Sequence, residues 1–138
     1  MTAEVSPEVR AFLKANVMTH EHVEVLLLIA GDAQPWTAQE AAEQLNLPLE
    51  IAEEAMTHLW RVKLLEARSM PSRRSGFAYA PGSPEVSACV GALAAEYAAN
   101  RFAIVQLLGT LAIERLRNAA IHHFADAFVL KAKARKDG

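Results

Sequence analysis

The stretch from Trp36 to Ala80, WTAQEAAEQLNLPLEIAEEAMTHLWRVKLLEARSMPSRRSGFAYA, decides the fold. It opens with the segment Thr37-Ala38-Gln39-Glu40, which matches a capping box. In this motif the threonine hydroxyl accepts a hydrogen bond from a free backbone amide of the first turn, and the glutamate side chain accepts one from the backbone amide of the threonine. A short helix from Ala38 to Gln44 follows, then the turn Leu45-Asn46-Leu47. Because Pro48 can begin the next helix, the pattern predicts two helices joined by a tight turn.

The second of these helices should run from Leu49 to about Val62, with apolar residues at helical spacing on its inner face: Ala52, Ala55, Met56 and Leu59. A strand is predicted next, from Leu64 to Ser69. After a turn-rich loop, a second strand follows at Phe77 to Tyr79. The sequence therefore predicts a small β-hairpin directly after the helix pair.

Two helices should precede this unit. Ser6 before Pro7 is a helix start, and it predicts a first helix that ends near Asn16. A second helix should span about His20 to Ala30, with Thr19 as its cap and Gly31 as its stop. Its run VEVLLLIA is apolar on most sides, so we expect this helix to be buried.

From Pro84 onward the pattern is helical to about Lys133. We expect a break or kink at Gly109-Thr110, where the apolar phase changes. An approximate heptad seam precedes it, and a helix this long leaves apolar surface that a second copy could cover. The sequence thus predicts a homodimer interface formed by Val86, Val90, Leu93, Tyr97, Ile104, Leu108 and Leu111.

The composition bounds the class of protein. The chain has 138 residues, 52% of them hydrophobic and 22% charged, which indicates a globular chain rather than a disordered one. It has a single cysteine, Cys89, and the polar start MTAEVSPEVR lacks an apolar signal region. No apolar run approaches membrane-spanning length, so we expect a cytoplasmic protein that is not bound to a membrane.

The order of elements in residues 22–80 resembles the winged helix-turn-helix of bacterial transcriptional regulators, loosely the MarR and PadR-like kind. The matching features are the buried helix VEVLLLIA, the short helix opened by TAQE, the turn LNLP, the helix that ends in LWRVKLLEA, and a wing with arginines at its tip. The resemblance implies a mainly α fold with a small β-wing and flanking N- and C-terminal helices.

The resemblance also implies a division of the chain and a function. An N-terminal helix would occupy residues 1–19, the winged domain residues 20–82, and a helical dimerisation segment with a basic tail residues 83–138. The protein would be a homodimeric, DNA-binding transcriptional regulator with no cofactor. Its DNA contacts would be Thr37, Gln39, Thr57, Arg61, Arg73 and Arg74.

The charge distribution supports an alternative. Residues 36–80 carry six acids and five bases, and the helix that should read DNA carries Glu50, Glu53 and Glu54. Because phosphates repel carboxylates, these glutamates favour a second hypothesis. In it the winged helix no longer binds DNA and instead binds another protein through its acidic face.

One position departs from the family pattern. Many such domains have a glycine between the recognition helix and the first wing strand, and here that position is Lys63. Either the helix ends without a left-handed residue, or the lysine adopts that conformation.

Metal binding and catalysis have little support in the sequence. The pairs His20/His22 and His122/His123 do not chelate within one helix, because residues one or two apart point in different directions. Neither a glycine-rich phosphate loop nor a nucleophile elbow is present. The sequence therefore indicates a protein that is not an enzyme and has no metal site.

Overall fold

The computed structural model describes residues 5–69 and 75–136, and side chains up to residue 123. This part of the chain contains six helices and one two-stranded antiparallel hairpin, which confirms the predicted fold class. The elements in chain order are α1 (Pro7–Ala15), α2 (His20–Ala30), α3 (Ala38–Leu45), α4 (Leu49–Arg61), β1 (Leu65–Ser69), β2 (Ser75–Tyr79), α5 (Pro84–Ala99) and α6 (Arg101–Lys136).

The first two helices begin where the sequence predicts. The Ser6 hydroxyl accepts a hydrogen bond from the Val9 amide at the start of α1. Thr19 caps α2 in the same way, and α2 ends at Gly31. These ends depend on short-range hydrogen bonds, which is why local sequence specifies them.

The capping box at α3 is also confirmed. The Thr37 amide donates to Glu40 Oε1 at 3.0 Å, and the Glu40 amide donates to Thr37 Oγ1 at 3.1 Å. Asn46 ends α3 in a left-handed conformation with φ of 55°, which asparagine tolerates better than most residues. Because Pro48 provides no side-chain hydrogen bond, α4 begins without a polar cap.

The wing is tied to the loop before α3. β1 pairs with β2 from Leu65 opposite Tyr79 to Ser69 opposite Ser75. Trp36 adds one further rung, since its amide and carbonyl each make a 2.8 Å hydrogen bond to the backbone of Phe77. The hairpin and the entrance to α3 are therefore held together by main-chain bonds.

Lys63 adopts the left-handed conformation, with φ of 66°. The sequence left two alternatives open here, and the second holds: the lysine adopts the conformation of the usual glycine. The Leu64 amide then donates to the Leu59 carbonyl at 2.9 Å, which closes the end of α4 and directs the chain into β1.

The predicted break at Gly109-Thr110 is wrong. The chain leaves the helical conformation at Asn100 instead, and α6 runs through Gly109 without interruption. Asn100 Oδ1 accepts a hydrogen bond from the Ala103 amide at 3.2 Å and so caps α6. A glycine inside a helix costs only about 1 kcal/mol, whereas a capping asparagine supplies a definite new start.

The core collects side chains from α1, α2, α4, α5 and α6 into one cluster. Five of the seven residues predicted to form the dimer seam belong to this core and are at most 5% exposed, namely Val90, Leu93, Ile104, Leu108 and Leu111. The seam prediction is wrong for these five, because the apolar repeat reflects burial within the protomer.

The other two predicted seam residues, Val86 and Tyr97, are half-buried and also contact the core. The Tyr97 hydroxyl lies 3.4 Å from Glu24 Oε1 and 3.2 Å from His20 Nε2. Arg101 donates to the same Glu24 oxygen at 3.1 Å. This polar junction fixes the α5–α6 break against α2.

None of the described helices has the length and apolar character that a membrane span requires.

Candidate nucleic-acid interface

The helix α4 has two distinct faces. Its inner face consists of the predicted core residues Ala52, Ala55, Met56 and Leu59, all of them fully buried. The opposite face is exposed over its whole length and carries Glu50, Glu53, Glu54, Thr57 and Arg61. The helical repeat of 3.6 residues places these five side chains on the side of α4 that faces away from the core, so α4 presents one continuous polar surface.

Two of the three glutamates on this surface have a role inside the protein. Glu54 accepts a 2.8 Å hydrogen bond from Nε2 of His22, a buried side chain of α2. Glu50 lies in the first turn of α4, which has no side-chain cap. A carboxylate at this place stabilises the helix, because it interacts favourably with the positive end of the helix dipole. Only Glu53 has neither role, so the acidic face is partly explained by the needs of the fold.

The predicted DNA contacts differ in their accessibility. Thr37 is nearly buried and its hydroxyl caps α3, so the structure places it as a structural residue. Gln39 is exposed and lines a shallow depression of about 440 Å³ between α3 and α4, together with Leu49. Thr57 is exposed, and its hydroxyl donates to the Glu53 carbonyl at 2.9 Å.

Basic groups gather where α4 meets the wing. Arg61 and Lys63 are exposed and line one open cleft of about 570 Å³ with Trp60 and Glu66. The sequence prediction included Arg61 but not Lys63, although Lys63 lies only two residues further along the chain. The wing-tip candidates Arg73 and Arg74 lie outside the described residues.

A second group of polar side chains lies at the base of α4. The rings of His22 and His58 stack almost in parallel, with centroids 4.1 Å apart and planes inclined by 8°. His58 Nε2 donates to the Asn16 carbonyl at 2.7 Å, and His22 Nδ1 accepts from the Thr19 amide at 3.1 Å. With Glu54, these contacts join α2 and the end of α1 to α4.

The local sequence gave only a weak signal for this cluster. His58 lies four residues after Glu54, so the two share one face of α4. His22 lies 32 residues before Glu54, and no spacing rule connects it to α4. The fold alone brings the three side chains together.

The pKa of His22 lies below its ordinary value of 6.5, chiefly because burial removes water from the ring. The hydrogen bond to Glu54 acts in the opposite direction, and the neighbouring His58 lowers the pKa further. The ring is therefore neutral near pH 7, with its proton on Nε2 and its lone pair on Nδ1 turned to the Thr19 amide.

Ligand atoms of His22, Glu54 and His58 lie within 4.8 Å of one another, which raises the question of a metal ion. An imidazole binds a metal through an in-plane nitrogen lone pair. The two stacked planes do not converge on one point, and both Nε2 atoms donate to oxygen. The arrangement therefore does not fit a shared metal ion without rotation of the rings.

The fold is similar to that of MepR, a transcription regulator of the Staphylococcus aureus multidrug efflux pump MepA. The TM-score is 0.53 at 15% identity, over 86% of this chain and 87% of that one. A MepR mutant bound to an oligodeoxyribonucleotide gives 0.52 and 16%, over 86% of each chain. A MarR family transcription regulator gives 0.51 and 18%, over 86% of this chain and 80% of that one.

No family model matches the sequence, and no curated protein matches it. At these identities the likeness establishes the fold, which is the winged helix-turn-helix of MarR family regulators with flanking helices. In that fold α3 and α4 form the helix-turn-helix, α4 takes the place of the recognition helix, and β1 and β2 form the wing.

Proposed function

We propose that this chain is a DNA-binding transcriptional regulator that acts as a homodimer in the cytoplasm. The observation that carries the proposal is the continuous exposed face of α4, which ends in basic groups next to the wing. In a helix-turn-helix protein this face enters the major groove. The similar MepR mutant bound to an oligodeoxyribonucleotide supports the same role.

Each part of the proposed interface has a definite task. Arg61 and Lys63 would contact phosphates where α4 leaves the groove, and Arg73 and Arg74 would do so from the wing. Gln39 would fix the position of α3 on the backbone. The roles of Glu50 at the helix end and of Glu54 beside His22 explain the presence of two of the three carboxylates without a protein partner.

Replacing Arg61 with alanine tests this arrangement. We expect lower affinity for a labelled random-sequence duplex, measured by fluorescence anisotropy at low salt, and a salt slope reduced by about one unit for one lost phosphate contact. Arg10→Ala removes the same charge from α1, where Arg10 lies 3.7 Å from Glu114. Equal effects of the two changes would contradict a specific role for α4.

The homodimer would be formed by the outer face of α6. Phe102, Val105, Ile113 and Leu116 are exposed apolar residues at helical spacing, and Gly109 lies on the same face. The opposite face of α6 packs into the core. A helix that is apolar on both faces needs a partner for the outer one, and a second copy of the same helix is self-complementary. The division into residues 1–19, 20–82 and 83–138 stays a prediction from the sequence, since helices from all three parts contribute to one core.

Exchanging Ile113 and Leu116 for glutamate should give monomers that remain folded, because these side chains are 57% and 71% exposed in the protomer. Size-exclusion chromatography with light scattering at tens of micromolar protein measures the change. Leu49→Glu, which adds a charge at an exposed leucine of α4, should leave the dimer intact. A wild-type protein that is monomeric at this concentration would contradict the proposal.

A second candidate function rests on the remaining acidic character of α4. Glu53 has no partner role within the fold, and Leu49 and Trp60 expose apolar surface on the same flank of the helix. Acidic and aromatic groups together suit a basic protein segment. In this reading the winged helix binds a protein in place of DNA, and charge reversal at Glu53 should abolish capture of that partner.

A further inference from the structure

The cluster at the base of α4 connects three parts of the chain. Its contacts come from the end of α1 through the Asn16 carbonyl, from the start of α2 through His22, and from α4 through Glu54 and His58. Because α2 and α4 share an extensive packed interface, this cluster lies where the position of α4 is set.

His22 has an unusual place in the capping box of α2. It occupies the position at which the usual motif has glutamate or glutamine, and its Nδ1 accepts a hydrogen bond from the Thr19 amide. Its other nitrogen donates to Glu54. Every polar atom of the neutral ring is therefore satisfied.

If the ring took up a second proton, that proton would have no hydrogen-bond acceptor. It would attach to Nδ1, which faces the Thr19 amide, and two donors cannot form a hydrogen bond. Protonation must therefore break the cap of α2 or move the ring. The ring is 3% exposed, so water does not replace the lost partner without local opening.

Neighbouring charges act in both directions. The titratable groups that affect His22 are Glu54 and His58 on α4 and Glu21 on its own helix. Within the described part of the chain, α3 and β2 also pack on α2 but add no charge to this set. Glu54 and Glu21 favour protonation of His22, whereas burial and the neighbouring His58, stacked 4.1 Å away, oppose it.

We propose that His22, His58 and Glu54 form a proton-sensitive joint, which holds α4 against α1 and α2 while His22 is neutral and loosens it when His22 is protonated. The joint acts on the helix itself, so it does not depend on whether α4 binds DNA or protein. Acidification would thus alter the placement of the binding helix without any ligand.

The direction of the pH effect follows from linkage. In the folded chain the pKa of His22 is below 6.5, so the opened chain takes up the proton first as the pH falls. The stability from neutral His22 is complete above about pH 6.5 and is lost as the pH falls through the folded pKa. Local opening should increase by up to about tenfold per pH unit in this window for one proton.

Hydrogen–deuterium exchange from about pH 7.5 to about pH 5.5 tests the joint, since this range spans histidine titration. After correction for intrinsic rates, the protection of Thr19 to Val23 and of α4 should fall below pH 6.5 in the wild type. In His22→Gln the protection should stay constant, because glutamine completes a capping box but takes up no proton in this range. His123→Gln, a change at an exposed histidine, should behave as the wild type does.

Equal pH dependence in His22→Gln and the wild type would overturn the proposal. If His22→Gln does not fold, NMR titration of the wild type decides. We expect the His22 ring, the Thr19 amide and the α4 amides to titrate together with a midpoint below 6.5. A midpoint at or above that value, or a ring that titrates without a response in α4, would also overturn it.

Discussion

Leu59→Ala should lower the free energy of unfolding by about 2–5 kcal/mol, the usual effect of removing a fully buried leucine from a packed core. Leu59 is 0% exposed and belongs to the core cluster. Its carbonyl also closes the end of α4 through the Leu64 amide. The substitution leaves this backbone bond in place, so the loss measures side-chain packing. Urea unfolding at a fixed pH near neutrality gives the value.

Trp60→Ala is the matched control, because Trp60 is the next residue of α4 and is 51% exposed. It removes a larger side chain from a surface position and should cost less than Leu59→Ala. A loss below roughly 1 kcal/mol for Leu59→Ala would mean that the inner face of α4 has been assigned wrongly.

Exchanging Glu50 and Glu53 together for glutamine should raise affinity for any duplex DNA. Both side chains are exposed on the outer face of α4. A carboxylate about 4 Å from a phosphate in water costs about 1 kcal/mol of repulsion, so the double change should strengthen binding roughly ten- to thirtyfold at low salt. Anisotropy titrations with random-sequence duplexes measure the gain.

Glu54 is left unchanged in this experiment because it pairs with His22, and its removal would also disturb the base of α4. The control is Glu8→Gln with Glu85→Gln, which removes two exposed carboxylates outside the winged domain. Weaker, less selective binding by the α4 variant would show that its glutamates read bases, since glutamate can accept from the cytosine amino group.

The sequence predicted those features that local chemistry determines. The Thr37–Glu40 capping box, the Ser6 cap and the inner face of α4 each depend on residues within one or two helical turns, and all are present. The sequence marked Lys63 as the residue in the usual glycine position but left two alternatives open there, and the structure shows the left-handed one.

Features that depend on distant parts of the chain were not predictable in the same way. A heptad-like repeat indicates burial but not which surface provides it, and Leu93 and Ile104 prove to face the protomer's own core. The joint of His22 with Glu54 and His58 has no sequence pattern, since α2 and α4 meet only in the folded chain. The internal role of Glu54 therefore needed the structure.

In the proposed function, the exposed face of α4 and the wing bind duplex DNA. Its most direct test is the affinity of the wild type for a random-sequence duplex over a series of salt concentrations at neutral pH. We predict that the logarithm of the affinity falls linearly with the logarithm of the salt concentration, with a slope of about −0.9 for each phosphate contact. No binding at low salt, or an affinity that does not change with salt, would contradict the claim and favour the protein-binding function.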